Sequence, residues 1–559
     1  MKTENELKTE NSLEKSEENP KKESKKSSSL LSKGFTLSIL TLASRVLGLI
    51  REMTKAKFLG TGHLGDAFGI AFQIPNFFRR LFAENSVSVA FIPTFKDYLE
   101  DSNTDAAKKR TQEFISATFT LVTFLTVALV SLGMIFAPAI LKIFFKDDAA
   151  ASGSEAVILT RIMFPYLVVI SVAALLQGIL NGLKIFSISG FTPILFNSIV
   201  IIFTYAFHNK MANPARAMAV GVITGGSVQM LFQLPFVFKN NWKIYFVSLK
   251  KAFTNPGTRN VLRLIGPTVI GMAAYQLNDI VSSALATRAG VGIYSSLSYS
   301  LRLQELILGI CAVTIGTVIL PDLTGLAKHE QWDDFSKLLL QSVKIMTFIS
   351  IPITFYSLIY GENLITLVYG TGRFDQESIK TTTQVFKAHI IGLFFIAVNR
   401  IVSQSFYAQQ DSKHPAFAGL VNCSTNILLA WLFVFLSKKF NLNLEGAGIA
   451  LALTIASMIN TILLYIFLGK KKHFDVKKLS FSTIIYALKM CLFSIVASLP
   501  VYFLRGPLLK LFQGHNRFIS HGFPVFISAL IFAFIGILCM MVTKDSMVKV
   551  AISKIHRRK

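Results

Sequence analysis

Charge and reactive side chains are both scarce in this chain. Of its 559 residues only 16% are Asp, Glu, Lys or Arg, nine are His, four are Cys and three are Trp. The cysteines, Cys311, Cys423, Cys491 and Cys539, stand singly in apolar runs without metal-ligand spacing or a pairing pattern, so they read as small core residues. The histidines lie mainly at helix ends or in loops, among them His63, His208, His329, His414 and His473, and no two sit four apart as paired ligands. No P-loop is present to hydrolyse ATP, and no catalytic constellation is visible. These absences point away from an enzyme and from a resident cofactor. They leave an ion gradient, the membrane potential or consumption of product to drive any transport.

Apolar residues fill the space. The chain is 52% hydrophobic and holds 49 phenylalanines, the composition of a polytopic membrane protein. Its net charge of +26 does not imply nucleic acid, because the Lys and Arg fall mostly in short loops between apolar runs, where membrane topology puts them. Fourteen runs are long enough to span a bilayer, near 34–54, 64–95, 111–140, 155–183, 189–208, 215–238, 260–287, 292–324, 336–361, 376–408, 414–437, 444–469, 481–504 and 521–543. An even number returns the C-terminus to the starting side. The lysine-rich segments KNNWKIYFVSLKK, KKKHFDVKK and KIHRRK then share one side with the N-terminus, which predicts that both termini are cytoplasmic. Residues 1–33 mix Lys, Glu and Ser with almost nothing to bury and are expected to be a disordered tail; they lack the apolar core of a cleavable signal. Short glycine turns, GTG near residue 61 and GTGRF at 370–374, read as plain loops.

The chain resembles itself at an offset of about 227 residues. SVAFIPTF, ending the second span, matches GTVILPDL, ending the eighth; GLKIFSISGF, before the fifth, matches AQQDSKHPAF, before the eleventh. Six spans separate equivalent points, so the halves share one orientation and relate by an axis along the membrane normal. The expected architecture is all-α: a six-helix bundle over 34–238, a linker at 239–259, a second bundle over 260–469, an appended pair over 481–543 and a basic tail at 544–559. Two such halves enclose a cleft, the usual place for the substrate of an alternating-access carrier.

Four arginines interrupt the apolar runs: Arg45 and Arg51 in the first, Arg79 in the second and Arg302 in the eighth. Each costs roughly 2.5–3.5 kcal/mol at the centre of a bilayer, so an anion or water must meet them. A planar, permanently charged guanidinium makes bidentate bonds to phosphate oxygens, which favours a phosphate or diphosphate ligand. Pairing with Glu52, Asp66, Glu84 or Glu305, or snorkelling to an interface, is the alternative at each position. Ser295, Ser298 and Tyr299 lie seven, four and three residues before Arg302 and form a polar face with it, while Glu305 follows at three. Asp279, an acid in an apolar helix, is a further candidate functional residue, or else a hydrogen-bonded structural one.

SRVLGLIRE at 44–52, GDAFGIAFQIPNFFRRLFAENSVSVAFIPTF at 65–95, TRIMFPYLVVIS at 160–171, GTVILPDL at 316–323 and FYAQQDSKHP at 406–415 resemble the MurJ (MviN) family of lipid II flippases, within the multidrug/oligosaccharidyl-lipid/polysaccharide exporter superfamily. The resemblance spans about 34–545. It implies fourteen helices, a cationic central cavity, and a groove for a polyprenyl tail on the C-terminal pair. It places the family's cavity arginines on Arg45, Arg51, Arg79 and Arg302. The accompanying acids fall on Glu52, where Asp is more usual, and Asp66, and the eighth-helix polar positions on Ser295 and Glu305. Asp279, Asn422, Asn426 and Thr454 resemble a sodium site described for part of the family. The implied activity is flipping of lipid II across the bacterial inner membrane by alternating access, in support of cell wall synthesis, with lipid II, membrane lipids and cell-wall synthesis proteins as partners. Export of another polyisoprenyl-diphosphate oligosaccharide is the alternative; a cationic-drug exporter would want carboxylates where this chain has an excess of base.

Overall fold

A computed structural model describes residues 20–84, 90–100, 104–145, 151–471 and 473–545. The first part of the expected polar tail, 1–19, and most of the basic tail, 546–559, lie outside the described residues. Among those described, the chain is helical without strands. The helices are α1 (Pro20–Leu59), α2 (His63–Phe78), α3 (Ile92–Glu100), α4 (Asp105–Ile135), α5 (Ala137–Leu141), α6 (Ala151–Met163), α7 (Tyr166–Gly182), α8 (Phe186–Phe207), α9 (Pro214–Lys239) and α10 (Leu249–Thr254). They continue with α11 (Pro256–Ala289), α12 (Ile293–Lys328), α13 (Trp332–Tyr369), α14 (Gln376–Ile391), α15 (Leu393–Ala408), α16 (Lys413–Lys439), α17 (Glu445–Gly469), α18 (Val476–Leu511) and α19 (Phe523–Val542). Residues 20–33, read above as tail, form the first turns of α1.

Nine helices among the described residues are long and apolar enough to cross a membrane, and α14 with α15, bent by 41°, make a tenth. These match ten of the fourteen expected runs. The other four runs fall on α1, on α2 and α3 with the π turn that follows α2, on α11 and on α12, the segments that carry Arg45, Arg51, Arg79, Asp279 and Arg302. The polar chemistry is therefore concentrated in the four runs that are not among those ten.

Two cores organise the bundle. One, around Phe68, Leu159, Leu167 and Met218, belongs to the first half; the other, around Phe335, Phe386, Ile401 and Leu464, belongs to the second. Ala56 at the end of α1 is fully buried in the second core, so α1 bridges the halves. The C-terminal pair packs on α13. Tyr360, Ala497, Val501 and Phe532 form a small core there, the Tyr356 hydroxyl donates to the Val525 carbonyl at 2.6 Å, and Arg505 pairs with Glu362 at 3.1 Å.

Pro75 inside α2 removes one backbone donor and crowds the preceding turn, and a π-helical turn follows at Arg79–Glu84. Such a turn shifts the phase of everything after it. Two adjacent arginines, Arg79 and Arg80, sit at this irregularity and end up with different surroundings.

Candidate functional site: a charged cavity closed at one end

A cavity of about 430 Å³ lies between the halves. Arg51, Lys55, Arg80 and Arg302 line it, and so do Glu52, Asp279 and Glu305. Each cation is held on an internal counter-ion. On α1, Glu52 sits between Arg51, at 2.8 Å, and Lys55, at 3.7 Å. Lys55 shares a helix face with both, three residues after Glu52 and four after Arg51. The Arg51 guanidinium also lies 5.8 Å from the centre of the Phe196 ring and the Lys55 ammonium 4.7 Å from that of Tyr299, which supplies a second attraction to each cation.

On α12, Arg302 pairs with Glu305 at 2.9 Å, with their side chains 50% and 59% exposed. Across the cavity Arg80 reaches Gln276 and Asp279 of α11, both at 3.4 Å. This contact joins the first half to the second. Pairs as exposed as these are worth at most about 1 kcal/mol each, so a bound anion can exchange for the acid.

Arg45 and Arg79 do not line the cavity. Arg45 donates to the Gly309 carbonyl at 2.9 Å and fastens α1 to the middle of α12. Arg79 donates from Nε to Asn76 Oδ1 at 3.0 Å, while its neighbour Arg80 takes the cavity side. Lys55 and Arg80 are thus cavity cations beyond the four arginines that the sequence singles out, and Arg80, expected to snorkel or pair, pairs with Asp279. The spacing of Lys55, four residues after Arg51, was the available signal; the choice between Arg79 and Arg80 depends on the π turn and was not readable.

Asp66, Ser295 and Tyr299 do not line the cavity but lie beneath it, toward the end of the bundle opposite the start of α1. Asp66, 2% exposed, accepts from the Gly292 amide at 2.6 Å, the Ser295 amide at 2.9 Å and the Ser295 hydroxyl at 2.6 Å. An acid of the first half therefore caps the first turn of α12 in the second, where unpaired amides and the helix dipole favour negative charge. Tyr299 is fully buried, and its hydroxyl donates to the Gly60 carbonyl at 3.3 Å.

The two glycine turns meet at this end, where they do more than connect helices. The Arg373 amide donates to the Lys57 carbonyl at 2.9 Å, and the Thr61 and Ser378 hydroxyls are 2.7 Å apart. Gly292 has φ +81°, and a Cβ there would overlap the Thr61 carbonyl. The backbones approach so closely that the halves are sealed against each other here.

Asn422 and Asn426 face the cavity beside Asp279. Asn426 donates to Asn278 at 3.0 Å and Ser282 at 3.2 Å, which leaves its carbonyl oxygen, like that of Asn422, buried without a hydrogen-bond partner. Two orphaned carbonyls beside a carboxylate suit a hard monovalent cation. Thr454 does not line this cavity; its hydroxyl donates to the Ala388 carbonyl at 2.9 Å.

The comparisons with known proteins agree with one another. Residues 55–521 match the family model described as lipid II flippase MurJ. The probable lipid II flippase MurJ of Treponema pallidum (strain Nichols) is 41% identical over 534 residues, 95% of this chain and 99% of that one. The corresponding protein of Buchnera aphidicola subsp. Acyrthosiphon pisum is 32% identical over 84% of this chain and 89% of its own. A solved structure of lipid II flippase MurJ in an inward closed conformation superposes with a TM-score of 0.73 at 25% identity, covering 91% of this chain and 98% of that one. An inward-facing multidrug resistance MATE family transporter of the MOP superfamily shares the fold, with a TM-score of 0.62 at 14% identity over 79% of this chain and 98% of its own. A cavity of paired cations between two helical halves, sealed at one end, is thus carried by a chain that belongs to the lipid II flippase MurJ family.

Proposed function

We propose that this chain moves lipid II from the cytoplasmic to the outer leaflet of the bacterial inner membrane, with both termini on the cytoplasmic side, and that the lined cavity receives the diphosphate of the lipid. The observation that carries this reading is that Arg51, Lys55, Arg80 and Arg302, drawn from both halves, face one cavity while the opposite end is closed by Asp66, Thr61 and Gly292. In the absence of substrate the cations rest on Glu52, Asp279 and Glu305. A diphosphate offers more oxygen acceptors than any one of these acids and draws cations from both halves onto one ligand. Its arrival favours the state in which the halves close around it, to the extent that this state binds it better. Opening of the sealed end then releases the headgroup outward, with the polyprenyl chain remaining in lipid or along the C-terminal pair.

Asp279, Asn422 and Asn426 are the groups that would hold a coupling cation such as sodium; a bound cation supplies positive charge to the carboxylate that Arg80 otherwise serves. Arg45 and Arg79 act in this reading by setting α1 on α12 and by fixing the turn that aims Arg80.

The test is complementation in cells depleted of their own flippase, combined with a measure of lipid II exposure on the outer leaflet. Arg51→Ala and Arg302→Ala should each abolish growth and lipid II exposure at unchanged membrane abundance, a loss of more than tenfold. Full complementation by both would overturn the assignment of the cavity. Cysteines placed beside Arg302 should react with a water-soluble reagent, whereas a packed scaffold would protect them.

A further inference from the structure

A second concavity lies outside the transport path, on the face that carries the ends of α12, α15 and α17 and the starts of α13, α16 and α18. It encloses about 710 Å³ among Lys328, Trp332, Gln409, Gln410, Lys471 and His473. Two of these side chains, Lys328 and Lys471, are cations, and no carboxylate lines the basin among the described residues. The Trp332 and His473 rings stack at 4.7 Å with planes 13° apart, which fixes an aromatic wall next to the lysines.

The acid that holds Lys471 does not line the basin. Asp411 accepts from Lys471 at 2.8 Å and from His414 at 2.7 Å. Burial raises its carboxyl, but these hydrogen bonds outweigh burial and hold it down at about 2, so it stays an anion that positions Lys471. Glu330, in the turn between α12 and α13, is exposed and does not line the basin. Lys328 is exposed and lines the basin, where no carboxylate accompanies it among the described residues.

The level of the basin narrows the ligand. Its walls are the termini of spanning helices, so it sits where bilayer gives way to water, the depth at which Trp and Lys together meet lipid headgroups. We propose that this basin binds the phosphate of one anionic phospholipid, with Lys328 and Lys471 on the phosphate oxygens, Gln409 and Gln410 on the headgroup hydroxyls and Trp332 against the glycerol. The bound lipid ties together three connecting turns of the second half, and it does so independently of lipid II.

The experiment uses the full chain in nanodiscs of phosphatidylcholine containing one tenth phosphatidylglycerol, followed by native mass spectrometry of the lipids that remain bound. The wild type should retain phosphatidylglycerol over phosphatidylcholine, and Lys328→Gln should lower that preference by about fivefold. Lys250→Gln with Lys251→Gln, an exposed basic pair on α10, should leave it unchanged. Equal retention of the two lipids by the wild type, or equal loss in both variants, would overturn the proposal. Displacement by soluble glycerol phosphate at the same concentration would also overturn it, by showing a free-phosphate site in place of a lipid one. Unfolding midpoints in pure phosphatidylcholine should match between wild type and variants, which separates loss of binding from loss of fold.

Discussion

The closed end and the charged cavity use the same ingredients to opposite effect. At the closed end, Asp66 is buried and saturated by three neutral donors, two of them backbone amides that cannot move independently of α12. In the cavity, Asp279 and Glu305 are about half exposed and meet flexible guanidinium groups. A carboxylate among fixed dipoles in a dry site makes a lock; a carboxylate opposite mobile cations in a wet one makes a placeholder. The contrast assigns structure-holding to one end of the molecule and ligand exchange to the other.

Removing Asp66 is the strongest way to break this comparison. Asp66→Ala leaves the Gly292 and Ser295 amides without their acceptor, a cost of about 2 kcal/mol or more for a hydrogen-bonded charge, and should shift the population away from the closed arrangement by roughly thirtyfold. Spin labels on Thr61 and Ser378, which now touch, should separate; an unchanged distance distribution would show that the backbone contacts suffice alone. Gly292→Ala comes next. Its left-handed φ and the overlap with Thr61 should cost about 1–3 kcal/mol, so the same labels should separate partially without any change in charge.

The smallest effect is expected at the cavity pair that joins the halves. Arg80→Asp alone should weaken transport, and combination with Asp279→Arg should restore the resting contact, worth at most about 1 kcal/mol, without restoring substrate handling. Recovery of full transport by the exchanged pair would make Arg80 a tether with no part in binding the lipid.

The helices were readable because long apolar runs in this chain have few other uses, and the cavity was readable because arginine in such runs is expensive. What the sequence hid is a matter of phase and partner. Arg79 and Arg80 are adjacent, and a π turn that no composition announces decides which one reaches the cavity. Tyr299 lies on the polar face of Arg302, yet its ring is buried beneath Lys55 and its hydroxyl serves Gly60, a partner 239 residues away. The glycine turns near 61 and 370 read as loops since nothing local shows that each is the other's neighbour.

The cap that Asp66 places on α12 has a pharmacological corollary. Once the sealed end opens, the first turn of α12 presents free amides and the positive end of a 36-residue helix to whatever enters from that side. A small carboxylate seated there would take the place that Asp66 must reoccupy before the next cycle. Such a compound would act as a doorstop, holding the sealed end open without competing for a ligand in the cavity.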